Sequence, residues 1–308
     1  MSDTAIVREV GPRDGLQLVK TFLDTEKKLQ WCRLEAEAGV SEIEVTSFVP
    51  PKVVPQFQDA VEVAEGALAM GGFTVSALVP NLRGARRGFE LGVPKINYVI
   101  SASEAHNLAN VRRSIADSLE EFRAIVAERD QVRPDAQLIG VISTSFGCSI
   151  AGAVDEKDVL TLAIRLAEAG ADEIMLCDTV GFAGPAAVRR LFSQTLAELG
   201  DTAVAAHFHD TRGLGLANVA AAADVGIRLF DATLGGLGGC PFAPGATGNV
   251  NTEDTVYLLE EMGLKTGIKL PALVELHRKV RQWLPAERFT SAIERAGLPK
   301  TRPDLAAA

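Results

Sequence analysis

No run of about eighteen apolar residues occurs in the sequence, which excludes a membrane-spanning helix. The opening Met1-Ser2-Asp3-Thr4 also lacks the charged-then-apolar pattern of a secretory leader, so a cytoplasmic protein is expected. Cysteine is scarce and scattered: Cys32, Cys148, Cys177 and Cys240 form no Cys-x-x-Cys pair. That spacing excludes a zinc knuckle and a disulfide framework. Basic charge is in deficit, with a formal net charge of -9, so a phosphate backbone or anionic membrane would on average be repelled. No nucleic-acid or membrane partner is expected. Low-complexity segments are missing too, and nothing marks a second domain.

What is present is a regular alternation. The 308 residues are 47% hydrophobic and 23% charged, enough for one large core. Apolar, β-rich runs near 5–10, 41–47, 73–79, 95–101, 138–144, 173–178, 203–209 and 229–234 are separated by amphipathic helical patterns. Several of these helices close on a small residue and glycine, as at Ala38-Gly39, Ala169-Gly170 and Val225-Gly226, where a left-handed residue turns the chain toward the next strand. Strand interiors such as Ile139-Gly140-Val141-Ile142 are almost continuously apolar, as parallel strands covered on both faces require. Eight such units predict an α/β fold, a (β/α)8 TIM barrel with additional C-terminal helices, in a single domain spanning 1–308. The barrel is expected at about 5–265, with its eighth helix near 252–262. A helical extension follows at about 266–298, and the tail 299–308 is expected to fray.

The polar residues that interrupt this pattern fall at the C-terminal ends of strands, where barrel chemistry gathers. His207 and His209 share a face of strand seven, because side chains at i and i+2 project together, and neutral imidazoles there can grip a divalent metal. Asp14, after strand one, adds a hard oxygen, and Asn249 a neutral one. Two nitrogens and two oxygens suit octahedral Mg²⁺ or Mn²⁺ better than structural zinc, and two positions stay open for substrate. Arg13 carries a permanent charge suited to a carbonyl oxygen that becomes negative, and Glu44 on strand two is expected to hold it as an ion pair. Cys240 sits in Gly235 to Asn249, a segment with six glycines that could close over substrate. A protonated thiol there can donate to a carbanion. Cys32, Cys148 and Cys177 read as core residues, and His106 and His277 as surface or structural ones. Gly213-Leu214-Gly215-Leu216-Ala217-Asn218 follows strand seven, not strand one, and reads as a turn and helix start rather than a dinucleotide fingerprint.

Taken in order, Val10-Gly11-Pro12-Arg13-Asp14-Gly15-Leu16-Gln17, Ile43-Glu44-Val45-Thr46-Ser47-Phe48-Val49, Pro80-Asn81-Leu82, Asp178-Thr179-Val180-Gly181, His207-Phe208-His209-Asp210-Thr211 and Gly236 to Asn249 resemble the 3-hydroxy-3-methylglutaryl-CoA lyases. These belong to the DRE-TIM metallolyase superfamily, and the similarity spans roughly residues 5–285. The resemblance implies a TIM barrel that cleaves an acyl-CoA by retro-Claisen chemistry to acetyl-CoA and a β-keto acid such as acetoacetate. It implies Asp14, His207, His209 and Asn249 as ligands of Mg²⁺ or Mn²⁺, Arg13 as enolate stabiliser and Cys240 as the loop cysteine needed for turnover. His207 and Asp14 are both candidates for the base. Gln17, Lys20, Ser47 and Asp178, with Arg13, fall among the expected acyl-CoA contacts, and a homo-oligomer is compatible with the extension. Leu18-Val19, Arg212 and Ser103 to Asn110 depart from the family's pattern, and all bear on the acyl group rather than on the chemistry. Two other readings share parts of the set: a Claisen-type acyltransferase of the isopropylmalate or homocitrate synthase kind, and a metal- or CoA-binding barrel without turnover. Arg13, Glu44 and Cys240 together favour the lyase, since metal binding needs none of them.

Overall fold

The computed structural model describes residues 3–239 and 248–307. Eight parallel strands, β1 (Ile6–Glu9), β2 (Glu42–Ser47), β3 (Thr74–Val79), β4 (Lys95–Ser101), β5 (Gln137–Ser143), β6 (Glu173–Asp178), β7 (Ala203–Phe208) and β8 (Leu229–Ala232), close into a barrel in chain order. β8 returns to β1 with Ile6 beside Leu229 and Glu9 beside Ala232. Each strand lies close to its expected span.

Around the barrel run α1 (Thr25–Glu37), α2 (Ala60–Met70), α3 (Leu82–Leu91), α4 (Glu104–Val111), α5 (Ile115–Val132), α6 (Glu156–Glu168), α7 (Pro185–Leu199), α8 (Gly215–Asp224) and α9 (Thr252–Glu261). Side chains of Asp24, Asn81, Ser103, Ser114, Asp155 and Asn251 accept first-turn amides of α1, α3, α4, α5, α6 and α9, each worth about 1 kcal/mol. Gly39 closes α1 at φ 99°, and a Cβ there would meet the Gly267 carbonyl at 2.4 Å, so the residue is dictated by both conformation and space. The extension holds α10 (Leu270–Trp283) and α11 (Ala292–Ala296), as expected. The tail differs from expectation: Pro303–Ala307 forms a short helix, α12, and Leu305 is buried. Two helices, rather than one, join β4 to β5.

The main apolar core lies between the barrel and the helices, with Trp31, Phe122, Phe192 and Phe230 among its large members. Inside the barrel, Ile139, Val141, Met175, Cys177 and Ala205 form a separate apolar cluster. The rest of the interior is ionic. Arg8 donates to Asp231 at 2.8 Å and Glu173 at 2.6 Å, while Lys95 lies 2.8 Å from Glu42 and 2.9 Å from Glu173. Charges taken from water must be paired in this way, and the network supports the floor of the site above it.

Candidate active site

At the end of β1 the chain makes one wide turn, Gly11–Gly15, in which the amides of Arg13, Asp14 and Gly15 all reach the Val10 carbonyl. Wide turns of this kind are uncommon and frequent at functional sites. This one places Arg13 and Asp14 over the barrel mouth. A Cβ on Gly11 would lie 2.3 Å from Glu9 Oε1 and 2.6 Å from the Trp31 ring, so only glycine lets the turn start here.

β7 brings the two imidazoles to the same place. Ligand atoms of Asp14, His207 and His209 all lie within 4.8 Å of one another, and the rings of His207 and His209 are 5.2 Å apart. Asn249 pairs with His209 across an isolated β-bridge and donates through Nδ2 to Asp14 Oδ2 at 2.8 Å. Its Oδ1 and His209 Nδ1 are buried with no hydrogen-bond partner among the described residues. Two orphaned lone pairs beside a carboxylate and a second imidazole fit a divalent cation, so the residues present match the metal that the sequence implies.

Electrostatics reinforce that fit. Burial would raise the Asp14 carboxyl, but Arg13, both imidazoles and the Asn249 amide hold it below its ordinary value. Burial drives His209 down to about 4, assisted by His207, which keeps its ring in the neutral, ligating form. His207 moves the other way. Burial lowers it, but the bond to Asp231 and the charges of Asp14 and Asp231 more than offset that. His207 Nδ1 donates to Asp231 Oδ2 at 3.2 Å. Burial would also raise Asp231, yet Arg8 and His207 bring it to about 2. A carboxylate behind a ligating histidine orients the ring and fixes its tautomer.

Arg13 is held from two sides: Nε donates to Glu44, and Nη1 to Asp14 Oδ1 at 2.6 Å. Asn97 Nδ2 donates to the other Glu44 oxygen at 2.7 Å. Arg13 Nη2 has no partner among the described residues. The expected Arg13–Glu44 ion pair is present.

The expected substrate contacts divide. Gln17 is half-buried and Lys20 exposed at the rim, while Ser47 is buried and accepts from the Val49 amide at 3.2 Å. Asp178 is expected to meet substrate; instead its two oxygens accept the Phe182 and Ala183 amides at 2.8 and 3.1 Å, so it shapes a turn. Burial outweighs those bonds and lifts its carboxyl to about 6. Cys240 lies outside the described residues. Arg212 donates to the Val180 and Gly181 carbonyls and stacks on Phe182, joining the loops after β6 and β7. His106 and His277 are buried and structural: His106 meets Ser101 at 2.5 Å and His277 donates to Glu253 at 2.6 Å.

Sequence reasoning missed Asp231 and Asn97. A signal existed for both, since Asp231 is the lone polar side chain of β8 and Asn97 shares the inward face of β4 with Lys95. Their partners, however, depend on the register of neighbouring strands. Beside the mouth, between the segment after β2 and α3, lies a groove of about 600 Å³ whose lining includes Phe48, Pro50, Asn81, Arg83, Arg86 and Arg87.

A closed (β/α)8 barrel presenting an arginine, a buried acid and an Asp-His-His-Asn cluster at its mouth defines the class of barrel enzymes with a candidate divalent-metal site. A family model described as HMGL-like matches residues 5–280. The chain is 41% identical over 276 residues to the hydroxymethylglutaryl-CoA lyase YngG of Bacillus subtilis, covering 90% of this chain and 92% of that one. It is 42% identical over 274 residues to the 3-hydroxy-3-isohexenylglutaryl-CoA/hydroxymethylglutaryl-CoA lyase of Pseudomonas aeruginosa, covering 88% and 90%. An HMG-CoA lyase from Acinetobacter baumannii, solved with coenzyme A and 3-methylmalate, superimposes with a TM-score of 0.91 at 43% identity, covering 97% of each chain. The chain belongs to the HMGL-like family.

Proposed function

We propose that this protein cleaves 3-hydroxy-3-methylglutaryl-CoA, or a close 3-hydroxy-3-carboxymethyl analogue, to acetyl-CoA and acetoacetate or its homologue. The observation that carries the reading is the placement of Arg13, braced by Glu44 and Asp14 with Nη2 left over, beside the Asp14, His207, His209 and Asn249 cluster. Those four residues would hold Mg²⁺ or Mn²⁺. The chemistry such an ion supplies is Lewis acidity toward substrate oxygens.

The remaining work falls to the chain's own groups. Asp14, a carboxylate with lone pairs beyond the one the ion would take, accepts the proton of the tertiary hydroxyl, while His207, whose Nδ1–H bonds Asp231, keeps its one remaining lone pair for the ion. The C3–O bond becomes a carbonyl as the C2–C3 bond breaks, and the electron pair moves into the thioester, giving the acetyl-CoA enolate. Arg13 Nη2 faces the oxygen on which that charge collects. Cys240, from its place in the sequence, returns a proton to C2. In this reading the groove after β2 takes the phosphorylated tail of coenzyme A. Its exposed Arg83 has no ion pair among the described residues, whereas Arg86 is matched to Glu128 at 2.9 Å and Arg87 to Glu90 at 3.4 Å. The test is to incubate the protein with Mg²⁺ or Mn²⁺ and a series of 3-hydroxy-3-carboxymethyl acyl-CoAs while following acetyl-CoA release. Release from at least one member supports the reading, and release from none defeats it.

A further inference from the structure

Behind the mouth, on the outer side of β1, lie acids that this mechanism does not use. Glu9, Glu35 and Glu253 are each 0% exposed. Glu9 Oε1 accepts the amides of Gly11 at 2.8 Å and Leu234 at 2.9 Å, and Oε2 accepts the Thr252 hydroxyl at 2.7 Å. Gly11 opens the turn that carries Arg13 and Asp14, Leu234 opens the glycine-rich segment, and Thr252 begins α9 just after Asn249. One carboxyl therefore anchors the roots of all three segments.

α1 sets a second carboxyl against it. Glu35 Oε1 accepts from Trp31 Nε1 at 3.0 Å, whereas Oε2 is buried and has no partner among the described residues. The titratable groups facing the pair are Cys32 on α1 and Glu253 on α9, the latter bonded to His277 on α10. Neither a lysine nor an arginine is among these groups. Two carboxylates in such surroundings cannot both be charged at modest cost, while one proton between them would satisfy the orphaned Glu35 oxygen. Burial, accordingly, lifts the Glu9 carboxyl to about 8, and burial together with the charge of Glu9 raises Glu35.

We propose that Glu9 and Glu35 share a single proton, and that Glu35, acting through Glu9, is a positioning residue that sets the Arg13–Asp14 turn against the segment carrying Asn249. For its catalytic consequence this rests on the lyase reading above; for the shared proton it does not. Below the titration of the pair, Glu9 stays seated on its three donors. When the proton is lost at higher pH, a second negative charge faces it and the two segments separate. Gln at position 35 would offer an N–H where the shared proton stood, whereas Leu would offer nothing.

The experiment compares wild type, Glu35→Gln and Glu35→Leu in three readouts: the infrared carbonyl band of a protonated carboxylic acid, Mn²⁺ affinity, and the pH profile of acetyl-CoA release. Wild type should show the protonated-acid band at neutral pH and lose it, together with activity, on an alkaline limb as the pair gives up its proton. Glu35→Gln should lack the band, bind Mn²⁺ like wild type and lose the alkaline limb. Glu35→Leu, if folded, should bind Mn²⁺ about tenfold more weakly, as loss of support behind a ligand does. No band in wild type, or an alkaline limb unchanged in Glu35→Gln, overturns the proposal. The Gln variant keeps it testable should Leu fail to fold. A band present in a protein that cleaves none of the acyl-CoAs would sustain the pair and sink the lyase reading instead.

Discussion

His209 Nδ1 and Asn249 Oδ1 are buried acceptors that the described residues leave unmatched, and they flank Asp14 in a site where the charged groups are compensated by ionic neighbours. Arg13 shows that compensation on the cationic side, with Glu44 and Asp14 fixing two of its nitrogens and Asn97 fixing Glu44. On the role proposed for Arg13, a contact that forms as charge develops, replacing it by Met should lower kcat by about 10²-fold or more; steady-state kinetics with a loss confined to KM would reassign it to ground-state binding. Asp178 permits a pH test of the structure itself. Its folded pKa of about 6 lies above the ordinary value, so the native state retains a proton that the unfolded chain releases first. The contribution of Asp178 to stability should then be greatest at low pH and fall by on the order of 3 kcal/mol as pH rises from about 4 to about 6. Asp178→Asn should flatten that slope in denaturant titrations, and parallel curves for the two proteins would contradict the assignment.

Among the elements, β1 and its turn matter most. The His-x-His pair was legible because a strand's period of two needs no knowledge of neighbours, and Arg13-Asp14 was legible because it followed a clear apolar run. Asp231 and Asn97 were not, since what they touch is set by the register that puts His207 beside Asp231 and by the bonds crossing the barrel. The ionic floor of Arg8, Glu42, Lys95 and Glu173 escaped for the same reason: charges at strand starts, as Glu42, Lys95 and Glu173 are, look solvated until the strands close. The wide turn itself has no local signature beyond glycines at its two ends, and the tail helix depends on Leu305 finding cover, a tertiary event. Gly11→Ala tests the turn. The new methyl collides with Glu9 and Trp31, so a loss of about 1–3 kcal/mol in thermal or denaturant unfolding is expected, together with weaker Mn²⁺ binding; a variant as stable as wild type would show that the turn can shift freely.

Across the whole molecule, a net charge of -9 coexists with a groove carrying Arg83, Arg86 and Arg87, so the long-range field opposes an anionic substrate that the local surface accepts. Arg83→Glu should raise KM for the acyl-CoA by roughly tenfold at low salt with kcat little changed, the difference shrinking as salt screens it. An unchanged KM would move the coenzyme's phosphates elsewhere. No helix among the described residues is long and apolar enough to cross a membrane. Every part of the chemistry passes through the cluster at the barrel mouth. The most direct measurement is acetyl-CoA release from 3-hydroxy-3-methylglutaryl-CoA while Mn²⁺ is titrated into metal-stripped protein, wild type beside His209→Ala. Turnover should rise to a plateau at one equivalent of Mn²⁺ in wild type and stay near background in the variant. Full turnover before any Mn²⁺ is added, or an identical titration for His209→Ala, would contradict the account.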